Sequence, residues 1–241
     1  ANVSKNIDFL RYRIGIPMIQ VETLGAGGGS IGWIDSMGLM QMGPQSAGSE
    51  PGPACYDQGG EKPTTTDANL VLGRLNPDYF LGGQIALDAM APVSALEEIG
   101  RRLGARAGTE MEAAAHAIVE TANENMANQI KLISVDRGLD PREFVLIPFG
   151  GAGPVHASAC ARLLGISRVR IPPHPGLTSA FGALAANWRV DRAWTIFGRS
   201  NNLDVEGIAH RLEQLTASAV RELVEDGFAG TPLVVRSIDM R

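Results

Sequence analysis

An apolar run from Phe144 to Phe149 ends abruptly at Gly150, Gly151 and Gly153, and an alanine-rich stretch follows from Pro154 through Ala161. The run has the length and composition of a buried strand, and proline in the first turn suits the start of a helix. Strand, glycine turn and helix together bring backbone close to a bound group, because glycine has no Cβ to exclude it. A second strand and helix follow at once, Ser167 to Ile171 and Gly176 to Ala186. The chain must therefore fold at least one βαβ unit over this stretch.

A second glycine cluster, Gly25-Ala-Gly-Gly-Gly-Ser30, lies far upstream. Successive glycines present consecutive backbone N–H groups to an anion, and Ser30 adds a hydroxyl; a tight turn needing positive φ would use the same residues. Before it, Met18 to Leu24 is expected to be a strand. Ile31 to Ile34 and Leu39 to Met42 are expected to pair around the turn Asp35-Ser-Met-Gly38. Gly43 to Thr66 forms a long Gly/Pro/Ser-rich loop. Thr66 or Asp67 then caps a helix over Asn69 to Leu75. Asp67 has two readings, a helix cap or a contact to metal or substrate through water.

Further on, Ala91 to Gly104 and Thr109 to Arg137 are expected to be helices, the second opening on a Thr109–Glu112 capping box. Met111, Ala114, Ile118, Ala122, Met126, Ile130 and Ile133 give the second helix one apolar face. Asn123, Glu124, Asn125 and Gln129 fall on its other sides, as a solvated face or a buried polar site. Arg189 to Phe197 and Leu233 to Met240 look like strands, and Val205 to Gly227 like an amphipathic helix.

Composition narrows the classes. Of 241 residues 44% are hydrophobic and 20% charged, which is ordinary for a globular chain. A net charge of −5 argues against a nucleic-acid partner. No apolar run approaches the roughly 20 residues of a membrane span, and no signal peptide is visible, so a cytoplasmic location is expected. The two cysteines, Cys55 and Cys160, form no Cys-x-x-Cys pair. Cys160 fits a helix core, whereas Cys55 sits in the Gly/Pro-rich loop and is expected to expose its thiol. The four histidines show no metal-pair spacing, so no metal ligands are assigned; His156, just after the glycine turn, fits either a structural role or a ligand contact.

Motifs in a fixed order carry a wider likeness: Thr23-Leu-Gly-Ala-Gly-Gly-Gly-Ser-Ile31, Gly43-Pro-Gln-Ser-Ala-Gly48, Pro51-Gly-Pro-Ala-Cys-Tyr56, Pro63-Thr-Thr-Thr-Asp-Ala-Asn-Leu70, Ala122-Asn-Glu-Asn-Met126, Val135-Asp-Arg-Gly138 and Phe149-Gly-Gly-Ala-Gly-Pro154. From about Ile14 onward this series resembles the hydantoinase A / 5-oxoprolinase family, which includes subunits of acetone and acetophenone carboxylases. The resemblance implies an α/β chain that is part of an actin-like ATPase (ribonuclease H-like) fold with a helical insertion. Residues 1–190 would be the C-terminal part of the core, with 66–108 the insertion and 109–190 the adenosine-motif lobe. Residues 191–241 would begin a further module. The family's Asp-x-Gly-Gly-Thr phosphate motifs are absent from these 241 residues. The chain is therefore expected to be an internal fragment, inactive alone.

The implied activity is ATP-dependent opening of a cyclic amide such as a hydantoin or 5-oxoproline, by phosphorylation of the carbonyl oxygen. A ketone carboxylase subunit and a non-catalytic partner-binding lobe are the alternatives. ATP and Mg²⁺ are the implied cofactors. Gly150, Gly151, Ala152 and Gly153 would face adenosine, and Gly25, Gly27, Gly28, Gly29 and Ser30 the phosphates or hinge. Asp67 is the catalytic candidate. A B-type subunit is the implied partner, within a larger oligomer.

Overall fold

The computed structural model describes residues 25–196 and 202–238, and before them the backbone of four short strands. The chain divides into two compact units, residues 21–181 and residues 1–20 with 182–241.

In the smaller unit β1 (Val3–Ser4) pairs antiparallel with β4 (Met18–Ile19), and β2 (Ile7–Phe9) with β3 (Tyr12–Ile14). The expected strand Met18 to Leu24 is seen at Met18 and Ile19, and the rest lies outside the described residues.

The larger unit opens with an antiparallel hairpin, β5 (Ser30–Ile34) and β6 (Met40–Ser46); the pairing is the one expected, but β6 runs on to Ser46, into the segment expected to be loop, where Ser46 pairs with Ser30. Its turn is closed by Asp35, whose Oδ1 accepts from the Met37 and Leu39 backbone N–H groups at 2.9 Å each. Helix α1 (Thr65–Val71) follows the long loop, α2 covers Val93–Arg102 and α3 covers Glu110–Val135. Strand β7 (Val145–Leu146), α4 (Gly153–Leu164) and β8 (Arg168–Val169) form a βαβ unit with parallel pairing, and α5 (Thr178–Ala185) comes next. In the smaller unit α6 spans Val205–Glu225, capped by Asp204.

Helix α3 is the spine of the larger unit. Ala114, Ala115, Ile118 and Val119 pack with Ile34 of the hairpin, Ala68 of α1 and Leu96 and Ile99 of α2. About two turns further along, Ala127 packs with Ala161 and Leu164 of α4 and Ile166. One helix thus fixes both the hairpin that follows the first glycine cluster and the helix that follows the second. The close fit has steric consequences. A Cβ on Gly32 would stand 2.8 Å from Ile118 Cγ1 and from Met40 Cε, and one on Gly100 would overlap the Glu110 carbonyl. The second contact is to backbone, which cannot swing away. Gly100→Ala is expected to cost roughly 3 kcal/mol, read as a lower denaturant midpoint at unchanged slope.

Several expectations are corrected. The cap of α1 is Thr64, and the helix begins at Thr65, before the expected Asn69. The Thr109–Glu112 capping box does not form, because Thr109 Oγ1 donates to the Arg106 carbonyl at 2.8 Å. Of the run Phe144 to Phe149 only Val145 and Leu146 pair, since Pro148 has no N–H to extend the ladder, and the run is not the buried strand expected: Phe144, Val145, Ile147 and Phe149 are exposed. Residues 189–196 and 233–238 are irregular, since they pair with no strand among the described residues; the remainder of those two expected strands lies outside them. No described helix is long and apolar enough to cross a membrane.

Candidate functional site

The two glycine clusters, far apart in sequence, meet in space. A Cβ on Gly28 would lie 3.9 Å from the Cβ of Ala152 and 2.8 Å from Thr66 Oγ1. The Gly28 carbonyl accepts from both the backbone N–H and the hydroxyl of Thr66, each at 2.9 Å. On its other side Gly29 is held to the hairpin, its carbonyl accepting from Ala47 N–H at 2.8 Å. Ser30 is buried and its hydroxyl turns inward, accepting from Gly27 N–H at 2.9 Å. The first cluster is therefore a closed loop pinned between β6 and the start of α1.

The second cluster is equally anchored. Gly150 adopts φ +87°, which favours glycine, and its N–H donates to the Pro175 carbonyl at 2.8 Å. The backbone N–H groups of Gly28, Gly29, Gly151 and Ala152 donate to no acceptor among the described residues. Gly25, Gly27 and Gly151 have open space where a side chain would stand. The juncture therefore offers unspent donors and room for a ligand, on two turns held from behind.

Asp67 organises this region from within. It is fully buried at the third position of α1, completing a capping box with Thr64. Its Oδ2 accepts from the Thr64 N–H and hydroxyl at 2.8 Å each and from Ala54 N–H at 3.3 Å, and its Oδ1 from Cys55 N–H at 2.8 Å. One carboxylate thus ties the Gly/Pro-rich loop to the helix whose Thr66 holds Gly28. The sequence pattern Thr64-x-x-Asp67 carries a capping-box signal, obscured by three successive threonines of which any could cap.

Cys55 is the clearest correction. It is fully buried with Leu70 and Leu87, because the loop around it folds inward to Asp67. Burial and the neighbouring Asp67 push its thiol far above its ordinary pKa, and burial raises Cys160 as well. Neither thiol is expected to react with iodoacetamide in the native protein, and both should react once it is unfolded. Fast labelling of Cys55 in native protein would contradict its burial.

A polar chain that the sequence did not reveal joins the three helices. His156, in the first turn of α4, is 1% exposed. Its Nδ1 lies 2.7 Å from Asn123 Oδ1 of α3, and its Nε2 lies 3.2 Å from Asn69 Nδ2 of α1. Asn69 Nδ2 also donates to the Thr65 carbonyl at 2.9 Å, while its Oδ1 accepts from Arg74 at 3.3 Å. That amide orientation presents a donor to Nε2, so His156 is the neutral tautomer protonated at Nδ1. Asn123 is buried, whereas Glu124 and Asn125 beside it are exposed. The polar cluster of α3 is thus split between core and solvent.

Burial first, and the positive Arg74 second, hold the His156 pKa below its ordinary value of 6.5. The other titratable group near the chain is Cys160, whose thiol approaches the Asn123 carbonyl at 3.9 Å. Because the folded-state pKa is depressed, the unfolded chain takes up the proton first. This contribution to stability is complete above about pH 6.5 and falls as pH drops toward the folded-state value. Melting temperatures of wild type and His156→Gln measured between pH 8 and 5 should converge at the acid end; parallel curves would contradict it.

Among the described residues no group of three or more His, Cys, Asp or Glu side chains stands close enough to hold a metal ion. A groove of about 470 Å³ lies at the far end of α3, lined by Lys131, Gly138, Asp140 and Arg142 among others, and shares no residue with either glycine turn.

Comparison with known proteins agrees with the motif order. The chain is 44% identical over 231 residues to the caprolactamase alpha subunit of Pseudomonas jessenii, covering 95% of this chain and 33% of that protein. It is 44% identical over 147 residues to the acetophenone carboxylase gamma subunit of Aromatoleum aromaticum, covering 61% of this chain and 20% of the relative. The crystal structure of the ATP-dependent caprolactamase from Pseudomonas jessenii superposes with a TM-score of 0.69 at 42% identity, over 95% of this chain and 33% of that one. A nucleotide-free acetone carboxylase structure superposes with a TM-score of 0.77 at 31% identity, over 94% and 33%. The chain therefore spans about a third of the length of the caprolactamase and acetone carboxylase chains and a fifth of the acetophenone carboxylase subunit. The sequence profile of the hydantoinase/oxoprolinase family matches residues 1–192, and the chain belongs to that family.

Proposed function

We propose that this chain supplies a nucleotide-facing part of an ATP-dependent enzyme that opens a cyclic amide. The observation that carries the reading is the meeting of the two glycine turns, with unspent backbone donors on both. Backbone N–H groups fixed in advance stabilise charge on phosphoryl oxygens without reorganising. Gly150 to Gly153 take the adenosine side, and Gly25 to Ser30 the phosphate or hinge side. ATP bound there would supply the phosphoryl group that turns an amide carbonyl into a better electrophile. This chain's own residues bind and orient: Thr66 and Ala47 hold the first loop, Pro175 holds the second, and Asp67 sets the start of α1. Asp67, the catalytic candidate of the sequence, acts in this reading from behind the loop. Any Mg²⁺ would be held chiefly by phosphate oxygens and by groups outside this residue set.

The same reading places residues 1–190 in the C-terminal part of an actin-like ATPase core, with 66–108 as its helical insertion and 191–241 as the start of a further module. The relatives named as subunits support a partner chain in a larger oligomer, and this reading takes that partner to be of the B type. The acetone carboxylase superposition supports a second reading, a ketone substrate activated in the same way. The test is phosphate release by the complete protein with its partner subunit, supplied with ATP, Mg²⁺ and in turn a lactam, a hydantoin, 5-oxoproline and a ketone. Turnover with a cyclic amide is expected. Turnover with the ketone alone would move the assignment to the carboxylases, and release with no substrate class would leave the chain a binding lobe.

A further inference from the structure

We propose that His156 is a positioning residue that couples the two glycine turns, an inference that rests on reading them as one nucleotide site. The coupling runs through named contacts. His156 belongs to the first turn of α4, three residues past the Gly153 that opens this helix. Its Nε2 accepts from Asn69 of α1, one turn beyond the Thr66 that pins Gly28. Its Nδ1 donates to Asn123, which lies on α3 between the hairpin cluster and the α4 cluster. The two turns therefore keep their spacing through a buried bridge from α1 to α4, braced on α3. Each bond is shielded from water, so an unmade partner is costly and the bridge has one preferred geometry.

The two ring nitrogens can be tested separately. Glutamine places an oxygen near the Nε2 position and retains the acceptor for Asn69. Asparagine places a nitrogen near Nδ1 and retains only the donor to Asn123. Amide hydrogen exchange of the complete protein without nucleotide reads the first loop, to which His156 makes no hydrogen bond among the described residues. In His156→Asn, exchange of the hydrogen-bonded amides of Gly27, Ser30, Thr64, Thr66 and Asp67 is expected to accelerate about tenfold, the scale of one lost buried hydrogen bond. His156→Gln should stay within about threefold of wild type. ATP affinity should follow the same order, about tenfold weaker in the asparagine variant and restored in the glutamine one.

Asn69→Ala removes the same link from the other side, and serves if His156→Asn does not fold. It should accelerate the loop equally, and adding His156→Asn to it should give no further change. Acceleration confined to α3 and α4, or equal effects of Gln and Asn, would overturn the coupling. The exchange result stands without ATP, so a protein that binds no nucleotide yet shows the expected pattern would refute the nucleotide reading and leave the coupling intact.

Discussion

Asp67→Ala is expected to destabilise the protein by roughly 4 kcal/mol, a large part of a typical domain's total. The carboxylate is fully buried and receives four donors: the Ala54, Cys55 and Thr64 backbone N–H groups and the Thr64 hydroxyl. Alanine strands all four in a space too tight for bulk water. It also removes one side of the capping box that starts α1. Asp67→Asn keeps one acceptor oxygen but turns an amide N–H toward donors, so an intermediate loss is expected. Chemical denaturation measures both. If Asp67→Ala unfolds at the wild-type midpoint yet loses activity, the side chain works on the substrate rather than on the loop.

The second large effect concerns binding. Gly151→Val is expected to abolish nucleotide binding by the complete protein, at least a hundredfold in affinity, with little change in melting temperature. The structure explains why the fold should tolerate it. Gly151 has no heavy atom within 4 Å of a built Cβ, and its φ is not positive, so the valine Cβ meets neither a neighbouring atom nor a left-handed backbone. The new side chain instead fills the open space above the turn, where a ligand would approach. Gly150 is a poorer probe, because its φ of +87° would confuse strain with lost binding. Titration calorimetry with ATP checks the expectation, and an unchanged affinity would remove the turn from the site.

Much of this arrangement is written in local sequence. The Asp35 to Gly38 turn, the long helix after Thr109 and the strand–glycine–helix passage at Phe144 to His156 depend on neighbours a few residues apart, and all three are present, the last with its strand cut to Val145 and Leu146 and left partly exposed. What failed depends on distant partners. The runs at Arg189 and Leu233 have strand composition, yet a strand exists only where another pairs with it. Cys55 sits in a Gly/Pro-rich segment that resembles a surface loop, and it is drawn inside by partners distant in sequence, the carboxylate of Asp67 and the side chains of Leu70 and Leu87.

Asn123 is the instructive miss. It stands four residues after Val119 and four before Ala127, both buried, so helical spacing already puts it on the inner face. Its partner His156 is 33 residues away on another helix, and no periodicity links the two. The approach of Gly28 to Ala152 is of the same kind. Each glycine cluster is visible in sequence, but their meeting is a property of α3 packing on both sides.

The central claim, one nucleotide site built from both turns, is tested most directly by hydrogen exchange of the complete protein with and without ATP. The amides of Gly28, Gly29, Gly151 and Ala152 have no acceptor among the described residues, so they should exchange quickly in free protein. Saturating ATP is expected to slow exchange in peptides covering both residues 25–30 and residues 150–153. Protection of only one segment, or of neither while ATP is bound, would contradict a shared site.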